Sequence, residues 1–409
     1  MRLKSFITVS LLVFFLWDIS SCIPKQNFDT QLKPTYQEYR FSITHWEFVK
    51  IPQELNQWIF NEREKSEDDS EIVIRYFSLS QEIRTLDQEL ENINTGIITG
   101  DTEELEVKAA LLAEEKTVLE IAVVQILEQQ IRETLNEQGI FHPLDSYLKF
   151  HFTFPAVNFT LGTPPQLLVI SPRDRIESIR EILLQPQLST TVVETIESEA
   201  DDLDVSSLVL GIGGLGATYP SFVNNKNSMR FTINTAVEEW LHQYLTFRPL
   251  GFKYLLDLTG ISRNYEIATM NETVASMLSK EIGSMIYKKY YSGYIKSNNT
   301  SNATQEFNFN GEMREIRKTV DSYLEEGKVE EAEEYMEQKR QYLTINGHYI
   351  RKLNQAYFAF HGTYADKPSS ISPVGADLRT LRNQSDSLSD FFNTVAVLTS
   401  HKDLQDSIK

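Results

Sequence analysis

The length and composition of the chain limit what kind of protein it is. Its 409 residues are enough for two or three domains, each with a core of its own. Apolar residues make up 41% of the chain and no low-complexity block interrupts it, which excludes a largely disordered protein. The formal net charge is -19 and no basic run is present, which argues against nucleic acid as a partner because that binding depends on clustered Lys and Arg.

The first 22 residues have the features of an export signal. A basic start precedes an apolar run over residues 6–17, which is too short to cross a bilayer. The run leads into Asp18-Ile-Ser-Ser-Cys22, which resembles a bacterial lipobox and contains the only cysteine. We therefore predict a lipoprotein signal peptide at residues 1–21 and a lipid on Cys22 that anchors the protein to the extracytoplasmic side of a cell membrane. The alternative is an ordinary signal peptide cleaved near Ser21.

Residues 22–145 divide into a predicted tether and a predicted helical arm. Residues 22–45 show no clear hydrophobic period, which is typical of a tether. The arm, residues 46–145, has a helical period that is interrupted by a glycine-bounded break at residues 96–100 and predicts a hairpin. After the break, apolar residues recur every seven positions at Leu105, Leu112, Leu119 and Ile126. Two alternatives remain open: the arm packs only against itself, or it serves self-association or docking.

Residues 146–230 favour a small α/β region with a mixed sheet. Strand patterns lie at residues 148–154, 158–161, 167–170 and 206–210, and helical patterns at 176–184 and 191–202. The alternation of helix and strand here, followed by helical patterns through residue 398, predicts an α+β fold that is mostly helical.

A glycine-rich run follows the last of these strands. Gly211-Ile-Gly-Gly-Leu-Gly216 matches the letters of a dinucleotide-binding loop, but such a loop must open directly into a helix and Pro220 interrupts it. We interpret the run as a strand end whose bare backbone allows another chain to approach closely. Residues 208–219 lie just before the next predicted helix, at residues 235–245.

The segment that carries the clearest chemistry is the predicted helix at residues 235–245, TAVEEWLHQYL. It has Glu238 and His242 four positions apart, so the two side chains lie on one helical face. The zinc motif H-E-x-x-H has this layout, with two His ligands and a Glu that acts on bound water. Here Glu238 stands at the first ligand position and Glu239 at the position of the catalytic Glu.

A second segment extends the pattern. Asn271-Glu-Thr-Val-Ala275 begins a further helical pattern, with Asn271 as a predicted N-cap and Glu272 in the first turn. Together with the first segment it resembles a bacterial family of gluzincin-like peptidases, in which that first segment reads roughly H-E-W-x-H-x-Y-L. Residues 246–251 and 353–364 are similar to that family too, and the resemblance covers residues 205–405. It implies a mostly helical zincin-like domain, to which we assign residues 231–409, and Glu272 as third metal ligand. In zincins an edge strand beside the active-site helix pairs with extended substrate, so the resemblance also implies that residues 208–219 line the substrate cleft, with Gly213 and Gly214 in contact with the substrate.

The predicted site is completed by assigning roles. Glu238, His242 and Glu272 are the metal ligands and Glu239 is the base; donors to the transition state are sought in His361 and Tyr364. Zinc is the expected metal, with Mn or Fe as alternatives because a second carboxylate ligand makes the site harder.

Two functions follow from this assignment. The first is a membrane-anchored, metal-dependent peptidase that acts on peptides or proteins. The alternative is a catalytically inactive zincin-fold lipoprotein that serves as a binding or scaffold protein. A third interpretation is structural: Glu238 and Glu239 form a solvated face, and His242 is an ordinary surface or core histidine.

Overall fold

The computed structural model describes residues 27–43, 66–95, 97–143, 152–293 and 307–408. The predicted signal peptide, Cys22 and most of the stretch between the tether and the hairpin lie outside these residues, and their assignments remain predictions. No helix within the described ranges is long and apolar enough to cross a membrane.

The fold is α+β and mostly helical, as predicted. The helices are α1 (Asn27–Tyr36), α2 (Asp69–Asn94), α3 (Thr102–Glu137), α4 (Thr190–Asp201), α5 (Met229–Leu245), α6 (Pro249–Leu258), α7 (Tyr265–Tyr290), α8 (Phe309–Glu325), α9 (Val329–Ile345), α10 (Gln355–His361), α11 (Val374–Gln384), α12 (Leu388–Val395) and α13 (His401–Ser407). The strands are β1 (Phe159–Gly162), β2 (Gln166–Pro172), β3 (Arg180–Leu184), β4 (Val205–Gly211), β5 (Gly214–Leu215) and β6 (Ser221–Asn224).

The strands form two small sheets where the sequence predicted one. An antiparallel sheet has the order β3-β2-β4, and a mixed sheet has the order β1-β6-β5 with β1 parallel to β6. Predicted strands at 158–161, 167–170 and 206–210 are confirmed. The helix predicted at residues 176–184 is wrong, because Arg180–Leu184 pairs with β2 along its whole length and the ladder decides the conformation.

Two other expectations need correction. The described end of the strand predicted at 148–154, residues 152–154, contains no strand. Residues 27–43 of the predicted tether are packed instead of free: Leu32 is buried in the core between α1, α4 and the antiparallel sheet, and the Phe41 N–H donates to the Leu183 carbonyl at 2.9 Å. A single buried apolar face on a short helix is a weak signal in a polar stretch, which is why the period was missed.

The predicted helical hairpin is confirmed as α2 and α3. Its base joins the main core through fully buried side chains such as Tyr76 and Ile131. Towards its tip several large apolar side chains on α3 are exposed, among them Val107, Leu111 and Val118. Self-association through this arm remains a prediction.

The pair of helices α5 and α7 brings the candidate site together. The N-cap of helix α5 is Ser228, whose hydroxyl accepts from the Phe231 N–H. The buried face of the helix includes Val237 and Leu241. Helix α7 carries Gly283 opposite Asn234 of α5, and a Cβ added there would overlap the Asn234 side chain. The glycine therefore permits a close crossing, which leaves the polar face of α5 directed at α7.

Candidate metal centre

The three predicted ligands converge. One ligand atom each from Glu238, His242 and Glu272 lies within 4.8 Å of the other two, and the gap between His242 Nε2 and Glu272 Oε2 is 3.7 Å. Tetrahedral zinc with bonds of about 2.0–2.1 Å separates its ligand atoms by about 3.4 Å, so small side-chain rotations would close the set. The three residues therefore form a group that could hold a metal ion.

The orientation of the His242 ring is fixed from α7. Asn271 Oδ1 lies 2.9 Å from His242 Nδ1 and can only accept, so Nδ1 carries an N–H that donates to it; in the neutral ring, Nε2 is then the unprotonated nitrogen and faces Glu272. Asn271 is therefore not the predicted N-cap. Helix α7 begins at Tyr265, and its N-cap is Asn264, whose side chain accepts from the Ile267 N–H. Asn271 lies inside the helix and is fully buried.

Two tyrosine hydroxyls hold the carboxylate of Glu272. The Tyr254 hydroxyl donates to Glu272 Oε1 at 2.5 Å, and the Tyr364 hydroxyl donates to the same carboxylate. Burial, and then the charge of Glu272, raises the pKa of both tyrosines well above the usual value. Both hydroxyls thus keep their protons and remain donors, and Glu272 Oε2 lies 3.7 Å from His242 Nε2.

The site brings several carboxylates together in largely buried surroundings. Burial raises the pKa of Glu238 to about 7 and that of Glu239 to about 8, although His242 opposes both shifts. For His242, burial lowers the pKa, but the nearby carboxylates outweigh burial and the net shift is upward. The charge of Lys367 acts on Glu238 as well, and burial lowers the pKa of this partly buried lysine. Such an excess of buried carboxylate is what a bound divalent cation would relieve.

The glycine-rich run lies directly against Glu239. A Cβ on Gly214 would come within 2.7 Å of Thr235 Cγ2 and would overlap the Glu239 carboxylate, and one on Gly213 would come within 2.9 Å of Phe231 Cζ. The N–H of Gly216 donates to Glu239. Close approach, as predicted, is the reason for glycine here, but the group that is approached is the predicted base on α5.

The outer edge of β4 is less available to a substrate than the sequence suggested. The N–H of Val209 donates to Glu197 Oε1 at 2.6 Å, and its carbonyl accepts from Arg351 at 2.9 Å. The Ser207 carbonyl accepts from Asn354 in the same way. Side chains therefore occupy this edge. The glycine-rich strand β5 differs. Beside its antiparallel ladder with β6, the Gly213 carbonyl accepts from the Asn224 N–H. Because successive residues of a strand direct their backbone groups to opposite sides, the N–H and carbonyl of Gly214 point away from β6.

The two candidate donors have different surroundings. Tyr364 reaches Glu272, as described above. His361, at the end of α10, packs against Tyr357 with ring centroids 4.3 Å apart and ring planes tilted by 48°. It lines a groove of about 460 Å³ along β4. Burial, assisted by Lys367, lowers the pKa of His361 to about 4, so it is neutral near pH 7. The structure thus joins Tyr364 to the candidate ligands, whereas His361 faces the groove.

Three residues that support the site were not found from the sequence. Tyr254 lies on α6, which follows α5 after a short turn; Asn271 was noted but given a capping role; Lys367 lies in the loop after Tyr364, its ammonium 3.7 Å from the centre of that ring. The Asn-Glu pair at 271–272 was the one usable signal. Asn271 can orient His242 while its neighbour Glu272 acts as a candidate metal ligand. Comparison with protein-family models, curated proteins and solved structures found no match for this chain.

Proposed function

We propose that this chain is a metal-dependent hydrolase that cleaves peptide bonds. The observation that carries the proposal is the convergence of Glu238, His242 and Glu272, with the carboxylate of Glu239 on the same helix held by the Gly216 N–H. A bound divalent cation would polarise a substrate carbonyl and lower the pKa of a coordinated water.

The residues around the centre divide the remaining work. Glu239 is the base that accepts the proton of the attacking water and passes it to the leaving nitrogen. Its pKa of about 8 in the metal-free protein falls when a cation binds nearby, because the cation favours the ionised carboxylate. Tyr364 has a single O–H, which burial keeps protonated. To donate to the developing oxyanion it would turn from Glu272, whose carboxylate keeps the hydrogen bond from Tyr254.

The donor set bears on the identity of the metal. One imidazole and two carboxylates can hold zinc, but they make a harder site than two imidazoles and one carboxylate. Zinc is therefore the first metal to test, and Mn²⁺ and Fe²⁺ are the alternatives. With the predicted lipid on Cys22, hydrolysis would take place at the extracytoplasmic face of a membrane.

A second candidate is a binding or scaffold lipoprotein without catalysis. The observation in its favour is Glu238 itself, because a second carboxylate ligand weakens the Lewis acidity of the metal and raises the pKa of water bound to it. Both candidates share the same fold and site, so metal content and peptide turnover separate them.

The first experiment measures the metal content of the purified full-length protein and of Glu272→Ala by mass spectrometry, after incubation with Zn²⁺ or Mn²⁺ and removal of excess metal. Glu281→Ala is the matched control, since Glu281 is a carboxylate of the same helix that pairs with Arg382 at 2.6 Å. We expect about one metal ion per chain in the wild type and the control, and a loss of metal in Glu272→Ala.

The outcomes separate the candidates. Metal that Glu272→Ala removes and Glu281→Ala retains, together with hydrolysis of a peptide library, supports the peptidase. Metal without hydrolysis supports the binding protein. If the wild type retains neither metal, the proposed centre is wrong.

A further inference from the structure

A small cavity lies beside the candidate metal centre. Its volume is about 60 Å³, which is room for a few water-sized groups. Glu272 and Tyr364 line one side of it, so the cavity borders the centre directly. The β2–β3 hairpin closes another side with Ser178 and Glu181, and the α6–α7 turn closes a third. Glu181 is a carboxylate that the proposed hydrolysis does not use.

The lining of the cavity favours a cation over an anion. Three carboxylates border it, Glu181, Asp257 and Glu272, against one guanidinium, that of the solvent-exposed Arg263. Asp257 is committed to the backbone, because its Oδ1 accepts from the Asn264 N–H at 2.6 Å. Even without Asp257 the carboxylates outnumber the guanidinium, and exposure to solvent weakens the field of Arg263 inside the cavity.

Glu181 is built to present its carboxylate. It lies on β3, where residue 181 pairs with Val169 of β2, so a rigid ladder fixes its backbone. The Ser178 hydroxyl donates to Glu181 Oε1 at 2.8 Å, which fixes the side chain as well. One contact of this kind leaves further acceptor capacity on the carboxylate, since an ionised carboxylate has about four lone-pair sites.

We propose that this cavity receives the α-ammonium group of a peptide, that Glu181 is its anchor, and that the enzyme is an aminopeptidase. The inference rests on the proposed function and names its substrate class. An ammonium group is about as large as a water molecule and needs acceptors for three N–H bonds. Because the α-nitrogen is two bonds from the first carbonyl carbon, an ammonium held beside Glu272 directs the first peptide bond to the centre.

The chemistry of the lining explains why the cut would be terminal. A nitrogen that is already part of a peptide bond is uncharged and has one N–H, so it cannot offer Glu181 and Glu272 the three N–H bonds and the charge of an ammonium. In the reaction, the oxygen of water joins the first carbonyl carbon, the first C–N bond breaks, and a proton goes to the leaving nitrogen. The products are a free amino acid and a peptide one residue shorter.

The test compares one pentapeptide in three forms, with both ends free, with an acetylated amino end and with an amidated carboxyl end, using the full-length protein loaded with Zn²⁺ or Mn²⁺. We expect stepwise release of residues from the amino end, unchanged rates after amidation and a kcat/KM at least about 100-fold lower after acetylation, because a site built for a polar group rejects the analogue that lacks it. Equal turnover of the acetylated peptide, or a loss of turnover on amidation, overturns the inference and leaves the peptidase proposal standing.

A binding measurement tests the cavity without turnover. Isothermal titration of the metal-free protein with leucinamide and with N-acetyl-leucinamide should show a preference for the free amine that falls at least about 10-fold in Glu181→Gln. Glu177→Gln is the matched control, because Glu177 lies on the same hairpin and pairs with Arg175 at 2.8 Å. A Glu181-dependent preference for leucinamide without hydrolysis of any peptide would support the ammonium site and refute the proposed catalysis. No preference for the free amine refutes the site.

Discussion

Replacing Asn271 by Ala tests whether the second helix orients the metal ligand on the first. The exchange removes the acceptor 2.9 Å from His242 Nδ1, at a position that is fully buried. Without metal, the His242 ring can turn or change tautomer and recover a partner. With metal bound at Nε2 it cannot, so the Nδ1–H stays buried without an acceptor, at a cost of about 1–3 kcal/mol. At 1.4 kcal/mol per tenfold change, this is a roughly 5- to 150-fold weaker metal affinity, which brackets the roughly 10- to 100-fold loss typical for partners of ligating histidines.

The assay is a competition titration of Zn²⁺ against a chelator of known affinity at fixed pH. Ser276→Ala is the control, since Ser276 is equally buried on α7 but donates to Asp366 at 3.1 Å, away from His242. Thermal unfolding of the metal-free variants checks that both still fold. A metal affinity of Asn271→Ala within twofold of the wild type and of the control would refute the role of Asn271 in holding the ring.

Two further predictions concern the unusual first ligand and the buried acids. Glu238→His restores two imidazole ligands, and we expect equilibrium dialysis to show at least about 10-fold tighter Zn²⁺ binding than in the wild type, while unchanged binding would mean that residue 238 is not a ligand. The second prediction is a fall in the stability of the metal-free protein between pH 5.5 and 8. Glu238 and Glu239 have folded pKa values of about 7 and about 8, above the unfolded value of 4.5, so the folded state binds more protons and stability falls as pH rises through this window, by up to about 1.4 kcal/mol per pH unit for each group. His242, with a raised pKa, changes stability in the same direction. Thermal unfolding in chelator at pH 5.5 and pH 8 checks this, and a higher midpoint at pH 8 would contradict it.

The sequence predicted best what depends on local spacing. The hairpin of α2 and α3 and the motif helix α5 follow from apolar periods that each helix carries within itself. Strand β3 was mistaken for a helix because its conformation is imposed by a neighbour, β2, and a short apolar run does not reveal its partner. Helix α1 was missed for a related reason, since what it buries, Leu32 against the antiparallel sheet, is visible only once the sheet exists.

The candidate site shows the same division. That Glu238 and His242 share a face follows from helical geometry, and Glu272 was added by the resemblance of its segment to a family pattern. The contact of Asn271 with His242 depends on how α5 crosses α7. The contact of Tyr254 with Glu272 depends on the turn between α5 and α6. No spacing rule within one element encodes these crossings. The sequence therefore suggested the ligands, whereas the groups that orient them became visible only in three dimensions.

The charges around the centre suggest how a glutamate is accepted where the zinc motif has a histidine. With metal bound, His242 neutral and Glu238, Glu239 and Glu272 ionised, the carboxylates would carry three negative charges in a largely buried space. A divalent cation offsets two of them and leaves one, and Lys367, packed over the ring of Tyr364, contributes a positive charge on the side of Glu238. Since an uncompensated buried charge is costly, we infer that Lys367 is the counterpart of the extra carboxylate. A histidine at position 238 removes that counterpart, so the charge of Lys367 would oppose part of the gain in zinc affinity that the second imidazole gives. The glutamate and the lysine are therefore best understood as one pair.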